Sequence, residues 1–365
     1  LHERATVIAG VFAMVAPTLG PTVGGWITET WSWHGLFLIN LGPGLLAALA
    51  VAFMPAPDRP DWGHARSLDV PALVFLVLFL GLLEYVLKDA PARGWTKPET
   101  LALAAACLLS GVQVVRRSLR ASAPLVDLGL YREPAFAAAS ACSFLLGAGL
   151  YGSVYLMPLF LGQVRDLGPL AIGEIMIVTG AAQLAGAPVA TWLERRVDPS
   201  LLTGAGYGLF AVGTLLGATA TIETGFAGMF WPQALRGFAV MLCILPTTRI
   251  ALGGLPPERV EGASGLFNLM RNLGGAVALA LIDTVLLERA PLHADRLAER
   301  LMAGEAEAFA ELGLEPGAAF ARAVPLARKA AATAAFDDAW LLLGAALVAS
   351  LALLPFLRPR SRPPA

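Results

Sequence analysis

Apolar positions along this chain neither alternate with polar ones nor fall into the one-sided stripe of a soluble amphipathic helix. They run together in blocks of about 19 residues or more, separated by short charged or Pro/Gly-rich breaks, the pattern of membrane-crossing helices. Ten such blocks can be counted: Ala5–Ile27, Leu36–Met54, Leu68–Leu87, Glu99–Val115, Ala135–Leu161, Leu170–Leu193, Leu201–Thr221, Phe226–Leu252, Gly262–Leu287 and Trp340–Leu357. The pattern predicts an all-α, polytopic membrane protein.

The first block carries Gly20, Pro21, Gly24 and Gly25. Inside a soluble helix proline costs about 3 kcal/mol and glycine about 1. Within a bilayer, neighbouring helices re-satisfy the freed backbone groups, and side-chain-poor faces permit close helix approach. A bent helix with a bare face is expected there.

Composition agrees with the pattern. Of 365 residues 57% are hydrophobic and only 15% charged, against about 25% charged in soluble domains. With a net charge of −1, nothing suggests nucleic acid as a partner. Cys107, Cys142 and Cys243 are far apart within apolar blocks, so neither a disulfide framework nor a CxxC metal pair is indicated. No nucleophile–base pair, phosphate loop or metal cluster can be picked out, and an enzyme is not expected.

Basic residues divide unevenly between the connections. One alternate set holds Arg4, Arg59, Arg66, Arg116, Arg117, Arg120, Arg132, Arg195, Arg196, Arg259, Arg358, Arg360 and Arg362; the other short connections hold Lys88, Arg93, Lys97 and Arg165. The positive-inside rule makes the first set cytoplasmic, including both ends of the chain. Arg116, Arg117 and Arg120 are expected to face anionic headgroups. Residues 288–336 form one long extracytoplasmic connection, in which Ala294–Ala303 and Ala318–Ala335 have helical composition. It is read either as a solvated helical hairpin or as a docking surface for a periplasmic partner.

Polar residues at membrane depth are costly, about 2.5–3.5 kcal/mol for a central charge on insertion scales, and each is a candidate site. Arg236 lies some ten residues into its block. Asn268, Arg271 and Asn272 are spaced three and four apart and share a helical face. That face could border a central cavity, or the two arginines could bond neighbouring helices and hold the fold. Glu84 and Asp283 lie near the outer ends of their blocks, where snorkelling to water competes with a proton-relay role. Gln183 and Gln233 could line a cavity or bond between helices. Trp26, Trp31 and Trp33 suit an interfacial belt.

Several motifs resemble the major facilitator superfamily, specifically its 14-helix drug:proton antiporters. Gly20-Pro21-x-x-Gly24-Gly25, with Gly10 upstream, is similar to the antiporter motif of the fifth helix. Trp33-x-x-x-Phe37-Leu-Ile-Asn40-x-x-x-Gly44 is similar to the turn into the sixth. Tyr155-Leu-Met-Pro158 with Gly173 and Gly180, Arg195-Arg-Val-Asp198-Pro199, Arg236-Gly237, the run from Gly262 through Asn268 and Arg271 to Gly274-Gly275, and Asp338-Ala-Trp340 follow in the family's order. His34, Gly35, Pro43, Gly162 and Ala278 depart from its usual residues.

The resemblance implies a facilitator fold lacking its four N-terminal helices. Residues 1–54 would be the last two helices of the first bundle. Residues 55–133 would hold two extra central helices and a linker, and 134–365 a six-helix second bundle. It further implies proton-coupled export of small amphipathic or cationic compounds from the bacterial inner membrane by alternating access. No cofactor is implied beyond the proton gradient, and the partners would be a small-molecule substrate, the bilayer and a periplasmic adaptor at 288–336. A dedicated metabolite or siderophore exporter is the second reading, and a non-transporting receptor or scaffold the third.

Overall fold

The computed structural model describes residues 19–53, 69–121, 124–315 and 320–357. Nine helices among them are long and apolar enough to cross a membrane. The first helix, α1, covers residues 19–30; the rest of its expected block, with Gly10, lies outside the described residues. α2 runs Gly35–Phe53, α3 Val70–Arg93, α4 Pro98–Arg120, α5 Pro134–Gln163, α6 Pro169–Glu194 and α7 Pro199–Leu215. A 3-10 turn, Leu216–Thr219, extends α7; α8 then runs Phe226–Leu252, α9 Pro257–Met302, α10 Ala306–Glu311 and α11 Phe320–Ser350, closed by the 3-10 segment Leu351–Leu357.

Proline opens α4, α5, α6, α7 and α9, where its missing N–H costs nothing and its fixed φ is already helical. Aspartates cap two helices. Asp69 accepts from Ala72 N in α3 at 3.1 Å, and Asp198 accepts from Ser200 N at 2.9 Å in α7. In an apolar setting these caps replace water for the otherwise orphaned first-turn donors.

α5, α6, α7, α8, α9 and α11 form one bundle, with α8 between α6 and α7, and α9 between α5 and α11; α3 and α4 pair as a hairpin laid on α9. The bundle holds two apolar layers, one around Phe136, Tyr207, Phe210 and Phe267 and one around Phe160, Phe336 and Trp340. Glycines set how closely the helices approach. A Cβ on Gly147 of α5 would lie 1.8 Å from the Arg271 carbonyl oxygen of α9, and one on Gly274 would lie 1.9 Å from that of Phe144. The two backbones touch there, and only glycine fits on either side. Gly237 of α8 meets the Thr179 carbonyl of α6 in the same way, at 2.1 Å.

Two expectations need correction. The helical-hairpin reading of 288–336 stands, but the bounds of the two membrane helices that flank it do not. α9 runs unbroken for 46 residues, about 69 Å at 1.5 Å per residue, more than twice the hydrocarbon thickness of about 30 Å. α11 begins at Phe320, twenty residues before the expected Trp340. The Ala, Leu, Glu and Arg of this region are strong helix formers, and Leu297, Leu301, Phe309, Leu312, Ala323 and Ala327 give it a small core of its own. The second correction concerns the arginine cluster in the last turns of α4. Arg117 is not left to lipid headgroups: its guanidinium holds both oxygens of Asp69, at 2.8 and 3.1 Å, closing the α3–α4 hairpin at its arginine-rich end.

Candidate functional site

The glycine/proline face of α1 lies against the start of α6. A Cβ on Gly25 would come within 2.4 Å of the Pro169 carbonyl oxygen, and one on Gly173 within 2.6 Å of the Pro21 carbonyl oxygen. Thr22 Oγ1 donates to the Gly173 carbonyl at 3.0 Å. Two glycines, one from each helix, thus let the backbones meet. The other motif glycines differ from Gly25: a Cβ on Gly24 would make an ordinary 3.6 Å contact with Leu36, and one on Gly20 would meet nothing within 4 Å among the described residues.

Sequence reasoning missed Glu29, whose Oε2 accepts from Leu170 N at 3.0 Å. A helix starting at Pro169 leaves its first N–H groups without intrahelical partners, and a carboxylate near that positive end is favoured. The signal available was an acidic residue at the C-terminal end of α1, just before the Trp31–Trp33 pair. Among the described residues Asn40 joins no second element; its side-chain amide donates to the Leu36 carbonyl one turn back, at 3.0 Å.

The deep polar residues separate into two places. Gln233 and Arg236 of α8 are buried, at 4% and 2% exposure. The guanidinium lies 4.5 Å over the Trp340 ring of α11 and donates Nη2–H to Gln233 Oε1. Gly213 of α7 makes room for the arginine stem. Among the described residues Nε and Nη1 have no hydrogen-bond partner. Arg236 is therefore sealed between α7, α8 and α11 and does not share a surface with the α9 polar face. Its contacts are those of an interhelical tie.

On α9, Asn268 and Asn272 are exposed and Arg271 is half-buried. Arg271 lies 5.6 Å over the Phe267 ring, and Asn272 Oδ1 accepts from Tyr151 Oη at 3.0 Å. This side of α9 is open at its two asparagines and tied to α5 by Tyr151. Gln183 is half-buried on α6 and Glu84 exposed on α3. Asp283 is not free at the water surface, because Tyr155 Oη donates to its Oδ1 at 2.7 Å. Both line a cavity of about 300 Å³.

Comparison with known proteins identifies the family. Residues 2–279 match the family model described as Major Facilitator Superfamily. The chain is 36% identical over 292 residues to the colistin resistance protein EmrB of Acinetobacter baumannii, covering 80% of this chain and 57% of that protein. It is 28% identical over 289 residues to the multidrug export protein EmrB of Escherichia coli, covering 78% and 56%. With the multidrug resistance protein Stp of Mycobacterium tuberculosis it shares 27% over 283 residues, 78% and 52%. The chain spans just over half the length of these curated relatives. The family match over residues 2–279 makes the chain a member of the major facilitator superfamily, a family of membrane transporters, and it is similar to EmrB-type proteins within it.

Proposed function

We propose that this chain is the larger part of a proton-coupled exporter of small amphipathic or cationic compounds, working by alternating access in the bacterial inner membrane. The observation that carries this reading is the α1–α6 crossing. By the family's order α1 belongs to the first bundle and α6 to the second. Rocking of two bundles about a midplane site requires contacts between them that can part. Backbone meeting backbone at Gly25 and Gly173, with one hydroxyl and one carboxylate as the polar bonds, is such a contact. The arginine-rich end, with both chain ends, would face the cytoplasm. The projecting α9–α10–α11 hairpin would then reach into the periplasm, where it suits an adaptor protein. The exposed Asn268 and Asn272 of α9 are the substrate-facing candidates, and Arg236 a structural one.

Expression of the full-length gene in a drug-hypersensitive strain tests the reading. Raised resistance to amphipathic drugs, lost when the proton gradient is collapsed, is the expected result. Unchanged susceptibility across the panel would overturn it in favour of a dedicated metabolite exporter.

A further inference from the structure

The hairpin α3–α4 meets the bundle along α9, and two cavities lie on that seam. The first, of about 300 Å³, opens among α3, α5, α9 and α11 at the end away from the arginine-rich connections. Asp283, Tyr155, Lys88 and Gln163 line it together with apolar groups such as Leu286 and Phe336. The second, of about 500 Å³, lies further along α9 and is walled by aliphatic and aromatic side chains, among them Phe79, Leu108 and Leu273. Ten residues of α9 separate Asp283 from Leu273, about 15 Å, which is half the hydrocarbon thickness and so the depth of one leaflet.

Lys88 and Asp283 carry opposite charges into the same cavity. Among the described residues neither has an ion-pair partner, and they do not pair with each other. Glu84, one turn from Lys88 on α3, is exposed and does not reach it either. Tyr155 occupies one oxygen of Asp283. Beside the next residue, Trp95 Nε1 donates to Thr284 Oγ1 at 3.0 Å, which ties α3–α4 to α9 and sets an indole at this level, as at a membrane interface. A ligand bearing both signs would satisfy the two at once.

We propose that this seam binds a phospholipid with a primary ammonium headgroup, the ammonium on Asp283, the phosphate on Lys88 and an acyl chain running along α9 towards the second cavity. A small cation alone would leave Lys88 repelled, and an anionic lipid would set its charge against Asp283. The two-charge headgroup matches, and so does the depth of apolar seam beneath it. The proposal concerns the α3–α9 seam and stands independently of what the protein exports.

Native mass spectrometry of the full-length protein, delipidated and then offered single lipids, tests this. Palmitoyl-oleoyl phosphatidylethanolamine should give a bound adduct, while palmitoyl-oleoyl phosphatidylglycerol should give at least tenfold less. Asp283→Asn and Lys88→Ala should each lower the phosphatidylethanolamine adduct about tenfold. Ala332→Phe, which fills the cavity without touching either charge, should abolish it while the protein stays monodisperse. Equal adducts of both lipids, or an unchanged adduct in folded Asp283→Asn, would overturn the proposal. So would binding of dodecylammonium with none of the phospholipid, which would assign the cavity to a small amphipathic cation.

Discussion

Gly24 and Gly25 are neighbours in one motif, yet they do different work. A methyl group on Gly25 would meet a backbone oxygen at 2.4 Å, and backbone cannot swing aside as the end of a side chain can. A methyl group on Gly24 would touch the Leu36 side chain at an ordinary 3.6 Å. Overpacking of this kind costs about 1–3 kcal/mol, whereas alanine in an accommodating helical site gains up to about 1 kcal/mol over glycine. Gly25→Ala should therefore lower the melting temperature of the purified protein, and Gly24→Ala should leave it unchanged or raise it. Equal effects would show that α1 and α6 do not meet closely. The same scale separates the two deep arginines. Both look alike in sequence, but only the contacts reveal that Arg236 is enclosed by Trp340 and Gln233 while Arg271 belongs to a partly open face.

At the scale of elements, apolar block length decided most of the architecture, and the eighth block, Phe226–Leu252, coincides with α8 at both ends. The pattern failed where a helix leaves the bilayer without stopping. Hydropathy falls at Leu287, but helix formation depends on backbone geometry and propensity rather than on hydropathy, so α9 continues to Met302. The candidate residues on one helix were legible from their spacing. Glu29, Tyr155 and Trp340 were not recognised as partners because their contacts join helices far apart in sequence. The α9–α10–α11 hairpin holds itself together by burial more than by charge. Arg300 pairs with Glu305 and Glu311 at its turn, but exposed ion pairs contribute about 0–1 kcal/mol. Leu301 is buried in the hairpin core, and Leu→Ala at a buried site costs about 2 kcal/mol or more. Hydrogen exchange of residues 294–312 should accelerate strongly in Leu301→Ala and little in Arg300→Ala, with the membrane helices unaffected. The reverse order would mean that the turn charges hold the hairpin.

For the whole molecule, the question is what keeps α1 on α6 at the end bearing the projecting hairpin. Among the described residues the backbone contact at Gly25 and Gly173 has no directional bond of its own beyond Thr22 to the Gly173 carbonyl. Glu29 adds the other, to the first turn of α6. A net hydrogen bond of this kind contributes about 1 kcal/mol, with the helix dipole in its favour, and that much shifts a two-state equilibrium about fivefold. Glu29→Gln keeps size and an acceptor oxygen but removes the charge, so it should weaken the closure without unfolding the protein. Spin labels at the exposed positions Thr30, at the end of α1, and Gln163, at the end of α5 just before α6, would read the outcome in the full-length protein. The wild type should show a dominant short distance, and Glu29→Gln should move population to a longer one. An unchanged distribution would mean that the backbone crossing alone sets the closed state, and that Glu29 serves only to cap α6.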